Sequence, residues 1–168
     1  MLFMDNEYKN KYGVLTYRKA TLADASYLAQ YMRDSDKLEL RLSSGDDLEA
    51  TMEKSFKISS ECKVACINGI PCCIFGVAPL FDEVAAPWMV ATQAVYRFKD
   101  KLITDAVGWI ESIKPNFRRL VNFVHAENTT AISWLSRLGF TVGGVTPEYG
   151  VGKAPFRIFH METQICAA

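Results

Sequence analysis

The chain has 168 residues, 49% of them hydrophobic, enough to bury one sizeable core and too few for two. Its 19 Lys and Arg balance 19 Asp and Glu, so no net field favours nucleic acid or an anionic membrane surface, and neither is expected as a partner. One domain over residues 1–168 is expected, with 1–13 as an N-terminal extension whose charged start, MLFMDNEYKNKYG, resembles neither a secretory leader nor a membrane span.

A cytoplasmic location follows as an expectation, with reduced cysteines and no glycan on Asn128-Thr129-Thr130. Cys166 falls one place too late for a prenylation box. Cys62, Cys66, Cys72 and Cys73 lack the paired knuckles of structural zinc and read as small buried apolar residues, so no metal is expected.

In chain order, Val14 to Lys19 predicts a strand, and Thr21 with Asp24 predicts the cap of a helix running to about Arg33. Asp36 to Ser44 reads as a polar connection, after which Gly45-Asp46-Asp47 opens a second helix with Leu48, Met52 and Phe56 on one face. Cys62 to Ile67 and Pro71 to Pro79 form two apolar runs around Asn68-Gly69, a strong hairpin signal. A loop from Phe81 to Pro87 precedes a strand from Trp88 to Val95. A long helix then carries Phe98, Leu102, Ile103, Ala106, Val107, Ile110 and Ile113 at helical spacing until Pro115. Leu120 to His125 reads as a strand, Thr129 to Leu138 as a helix, and Phe140 to Val145 with Phe156 to Met161 as a closing pair. The expected order is β-α-α-β-β-β-α-β-α-β-β, an α/β (α+β) domain.

That order, with Asn128-Thr-Thr-Ala131-Ile132 leading to Leu138-Gly139-Phe140, resembles the GNAT (Gcn5-related N-acetyltransferase) superfamily. The resemblance implies a mixed, mostly antiparallel sheet that splays between the fourth and fifth predicted strands to admit acetyl-CoA. Within the superfamily, the runs MRDSDKLEL, NGIPCCIFGVAP, APWMVATQAVYRF and NFVHAENTTAISWLSRLGF look like a family of phage GNAT-like proteins, labelled internal virion protein A or acetyltransferase. This implies a phage origin, a phage or host protein as partner, and a place in the host cytoplasm with assembling virions.

Acetyl transfer needs the cofactor diphosphate held, the thioester carbonyl polarised, the amine deprotonated and the thiolate protonated. Where the superfamily has a glycine-rich diphosphate loop, Thr92 to Lys101 contains no glycine. Arg97, Lys99 and Lys101 supply charge there, either to an anion or to solvent. The position that in many superfamily enzymes carries a proton-donating Tyr falls on Leu135, behind Trp134. Asn128 reads as a helix cap or a contact to the pantetheine arm, His125 as a base or relay or a strand-end histidine, and Thr92 as a group to position a carbonyl or a plain strand residue. Arg33, Asp36 and Glu39, spaced i, i+3, i+6, would wall the acceptor site, the two acids receiving an amine or a basic partner surface, or form a solvated helix end. Trp134 and Tyr96 are the side chains expected to fill the splay. Gly150-Val-Gly152-Lys153 lacks the context of a phosphate loop and reads as a hairpin connection.

With two chemical requirements missing, the expectation is a non-catalytic or weakly catalytic protein acting in virion morphogenesis or binding a host component. The alternative is an acetyl-CoA-dependent N-acetyltransferase acting on a host or phage amine.

Overall fold

The computed structural model describes residues 7–163; Cys166 and the first six residues, on which the prenylation and leader readings draw, lie outside the described residues. Asn68 and Gly69, both at positive φ, turn β3 (Glu61–Ile67) back onto β4 (Ile70–Phe81) as the sequence predicts. A second turn at positive-φ Asp82 and Glu83 leads into β5 (Val84–Ala91). On the other side β2 (Gly13–Lys19) pairs with β3, and β1 (Tyr8–Asn10) with β2. β6 (Arg119–His125) runs parallel to β5, then β8 (Ala154–Glu162) and β7 (Thr141–Tyr149) complete an eight-stranded sheet in the order β1-β2-β3-β4-β5-β6-β8-β7. The mixed, mostly antiparallel architecture is the one expected.

One sheet face is covered by α1 (Leu22–Tyr31) and α3 (Leu48–Ile58), which pack Leu28 and Met52 on Val64, Ile74 and Val90. Thr21 and Asp24 form the capping box of α1, and Asp47 caps α3. The opposite face is covered by α4 (Lys99–Ile113) and α5 (Thr129–Arg137), which set Trp109, Ile110 and Leu135 against Leu120, Val124 and Phe159. Fully burying a side chain such as Leu28 or Leu120, each 0% exposed, contributes about 2 kcal/mol, so these clusters rather than helix propensity hold the helices. Cys66, Cys72 and Cys73 are buried in the core beside the half-buried Cys62; burial pushes the Cys62 and Cys72 thiols up to about 12, leaving them protonated.

The main differences from the sequence-based expectation are these. Residues Tyr8–Asn10 of the expected extension form β1, on the sheet edge. The expected polar connection is a helix, α2 (Asp34–Ser44), and α1 ends at Tyr31. What α2 turns inward is Asp36, so an apolar period is missing from its sequence. β5 begins at Val84, inside the expected loop, and ends at Ala91; Gln93–Phe98 then coil into a 3-10 helix rather than extending the strand. Pro87 argues against a strand, yet it is tolerated where a strand edge has no ladder partner.

Candidate functional site

β5 and β6 begin side by side and part. Only Val84 with Arg119 and Ala85 with Leu120 are in register, so beyond them two strand edges face a gap. A buried peptide group left unpaired costs roughly 1–3 kcal/mol, and here side chains replace the missing ladder. Asn122, two residues past the last pair, donates Nδ2 to the Pro87 carbonyl at 3.0 Å and accepts the Phe123 N–H at 2.8 Å. At the open end α2 lies across the gap. Asp36 accepts the Ala91 N–H at 3.0 Å, the Arg33 N–H donates to the Ala91 carbonyl at 2.8 Å, and Glu39 accepts the His125 N–H at 2.8 Å.

Those bonds fix which way β5 faces. Both backbone groups of Ala91 and the carbonyl of Pro87 point into the gap, so by the two-residue period of a strand the N–H and C=O of Met89 do as well. Among the described residues the β5–β6 register ends at Ala85, and no turn, loop or side-chain bond reaches either group of Met89.

A cavity of about 340 Å³ passes through the sheet at this gap. On one face its walls are Leu102, Ile103 and Ala106 of α4 with Ala131, Leu135 and Leu138 near α5; on the other they are Leu40 of α2 with Met52 and Ser55 of α3 and Trp88 of β5. Glu39 and Met89 line the passage between the two chambers. Burial raises the Glu39 carboxyl to about 7, with Asp36 adding to the rise while the His125 N–H, the Asn128 amide and Arg33 oppose it. Its Oε1 takes the His125 N–H and, at 3.4 Å, Asn128 Nδ2; Oε2 accepts no bond from the described residues. A half-buried carboxylate at a cavity wall with a pKa near neutrality has the properties of a general base.

Arg33 organises the floor. Its Nε and Nη2 meet the two oxygens of Asp36 at 3.0 and 2.9 Å, and its guanidinium lies 5.0 Å from the Trp134 ring and 5.7 Å from that of Tyr96. Trp134 and Tyr96 pack edge to face at 5.7 Å as expected of a pair filling the splay, but they close around Arg33 and leave the cavity open.

The other residues singled out from sequence are dispersed around this arrangement. Asn128 caps α5, its Oδ1 accepting the Ala131 N–H at 3.2 Å, and also reaches Glu39. His125 contributes its backbone; its ring packs on Phe156 at 5.4 Å and does not line the cavity. Thr92 donates its N–H to Cys72 at 2.9 Å and likewise stays out of the cavity wall. Arg97 is exposed, its carbonyl accepting Asn10 Nδ2 at 3.2 Å, while Lys99 reaches the cavity and Lys101 pairs with Asp105. The glycine-free segment before α4 engages its amides in 3-10 bonds, and Phe98 gives α4 no side-chain cap. Asn122 and Met89 were not foreseen. A carboxamide within an apolar strand was a visible signal for Asn122; Met89 acts through its peptide and left none.

No family model matches the sequence, and no curated protein matches it. Solved structures do resemble the chain. An acetyltransferase of the GNAT family from Streptococcus pneumoniae is 17% identical, covers 89% of this chain and 99% of its own, and superposes with a TM-score of 0.61. The ribosomal-protein-S18-alanine N-acetyltransferase from Escherichia coli is 13% identical over 91% of this chain and 96% of its own, TM-score 0.64. Ard1 from Thermoplasma volcanium is 13% identical over 89% and 98%, TM-score 0.68. Likenesses this distant in sequence and this complete in length carry architecture, and the chain has the GNAT acetyltransferase fold.

Proposed function

We propose that the chain is an acetyl-CoA-dependent N-acetyltransferase acting on a host or phage amine. The observation that carries this is the passage through the sheet, with an unpartnered Met89 N–H on one wall and a near-neutral Glu39 on another. The fold of the solved acetyltransferases supports it. For the cofactor, the apolar walls on α4 and α5 fit a pantetheine arm, and the side chains of Arg97 and Lys99 would meet the diphosphate by charge in place of a backbone cradle. Acetyl-CoA supplies the activated acyl group. Glu39 Oε2 would take one proton of the incoming ammonium, the Met89 N–H would donate to the acyl oxygen, and the second amine proton, lost as the C–N bond forms and the C–S bond breaks, would reach the CoA thiolate through water. Leu135 offers the departing thiolate no proton, which forgoes a contribution typically of about 10²–10⁴-fold and predicts slow turnover.

The second reading, favoured by the 3-10 helix at the diphosphate segment and by Leu135, is a member of the phage family that has lost efficient catalysis and serves virion morphogenesis or binds a host component. Calorimetric titration with acetyl-CoA separates the two. Micromolar binding that weakens with salt, followed by acetylation of a protein in a host lysate, is expected of the transferase. No heat at millimolar cofactor would overturn it and leave the second reading.

A further inference from the structure

We infer that the chamber on the α2 and α3 face admits a monoamine with an apolar, aromatic-sized body and rejects polyamines. The fate of that amine rests on the transferase reading; its binding rests on the chamber alone.

The chamber is walled by Leu40, Met52, Ser55, Trp88, Phe123 and Tyr149. Its aromatic walls are held before any ligand arrives. Phe123 and Tyr149 stack with ring centroids 4.3 Å apart and planes at 23°, and Trp88 is fixed by its Nε1 donating to Ser59 Oγ at 2.8 Å. The turn beyond Tyr149 is tied to the end of α2: the Gly152 N–H donates to the Leu42 carbonyl at 2.9 Å. A Cβ on Gly150, at φ 70°, would stand 2.6 Å from that same carbonyl. This close approach is what the Gly150-Val-Gly152 pattern supplies. Rigid aromatic walls favour a flat apolar body, and their π faces also favour the cation it carries.

Charge decides the second half of the inference. The charged groups facing Glu39 are Asp36 and Arg33 from its own side, while β6 presents only the backbone N–H of His125. Arg33 occupies both oxygens of Asp36, so that pair is neutral, and among the described residues facing the passage Glu39 is left as the acid able to receive an ammonium. Lys63 and Asp105 line the cavity too, but they are engaged with Glu61 and with Tyr17 and Lys101. One ammonium therefore finds one carboxylate. A second, carried by a polyamine, would meet only the hydroxyls of Ser43, Ser44, Thr51 and Ser55 and no carboxylate, so its charge would be desolvated without an ionic partner.

The test is calorimetric titration of the whole protein at pH 8, where Glu39 is ionised, with methylamine, 2-phenylethylamine and spermidine, beside a separate titration with acetyl-CoA. The expected result is 2-phenylethylamine binding at least about 10-fold tighter than methylamine, from the apolar area it buries, with spermidine no tighter than methylamine. Ser55→Phe should abolish the 10-fold gain by filling the chamber, while acetyl-CoA keeps its affinity. Thr51→Phe, on the same wall, serves if the first variant does not fold. Spermidine binding as tightly as 2-phenylethylamine, or equal affinities for the two monoamines, or indifference to both chamber-filling variants, would overturn the inference. Failure of acetyl-CoA alone to bind would count against the transferase and leave the amine preference readable.

Discussion

The two edges of the gap meet the same need differently. On β6 the N–H groups of Phe123 and His125 are both taken, by Asn122 and by Glu39. On β5 the sequence brackets one open peptide between two closed positions: Pro87, which has no N–H and whose carbonyl is taken by Asn122, and Ala91, whose groups are taken by Asp36 and Arg33. Met89 is left between them. A sheet that needed only to be stable would have closed that position at the cost of one more polar side chain. The contrast teaches that β6 is finished as structure and β5 is left unfinished at one place, which is what a site for a carbonyl-bearing ligand needs.

The comparison breaks most severely at Arg33. Arg33→Ala leaves Asp36, 5% exposed at its side chain, as an unpaired buried acid, and also removes the contact to Trp134 and Tyr96. We expect a loss of about 3–5 kcal/mol in urea denaturation. Faster hydrogen exchange should appear at Ala91, whose N–H depends on Asp36. A loss under 1 kcal/mol would mean that the α2 closure of β5 is ornamental.

Glu39→Gln comes next and acts through pH. The folded-state pKa of Glu39 is raised to about 7 from the ordinary 4.5 of a glutamate, so the folded protein holds a proton that the unfolded chain releases. Wild-type stability from this group is therefore present at low pH and is lost as pH rises from about 4.5 to about 7, by at most about 1.4 kcal/mol per unit. Gln has nothing to lose there. The variant should match wild type near pH 4 and gain on it through that window, then run parallel above pH 8. Parallel curves throughout would remove the case for Glu39 as a base.

Asn122→Ala tests the other edge of the comparison. It frees the Phe123 N–H and the Pro87 carbonyl together, with an expected cost of about 1–2 kcal/mol and faster exchange at Phe123. Met89 provides the internal contrast: its amide should exchange fast already in the wild type and slow when acetyl-CoA is added.

Much of this was legible in the sequence, and the misses share a cause. The hairpin at Asn68-Gly69, the Thr21 capping box, the α4 periodicity and the Asn128 frame were plain, because each is a local pattern that its own residues satisfy. α2 was not, because its buried face is Asp36 beside Arg33, a polar pair that gives no apolar period. The sequence points to β5 several residues late because Ala85, Ala86 and Pro87 are poor strand formers, and only the gap on the far side makes a proline harmless there. The acids of the site could be named from spacing, but not their division of labour. That Asp36 is consumed by Arg33 while Glu39 keeps a free oxygen depends on contacts from β5, β6 and α5, far apart in sequence.

Asn128→Ala has the smallest expected effect and tests how far β6 is finished as structure. The side chain does two things: Oδ1 caps α5 through the Ala131 N–H, and Nδ2 reaches Glu39 at the long distance of 3.4 Å. Loss of the cap costs about 1 kcal/mol, a fall of about 2–4 °C in Tm for a domain of this size. The longer bond is weak, but it is one of the contacts that lower the Glu39 pKa, so its removal shifts the pH at which amines begin to bind upward. Both changes should appear together if Asn128 serves the structure and the base alike. A lost acetyl-CoA affinity with an unchanged Tm would instead assign Asn128 to the cofactor, and β6 would then be an edge that holds a ligand, as proposed for β5.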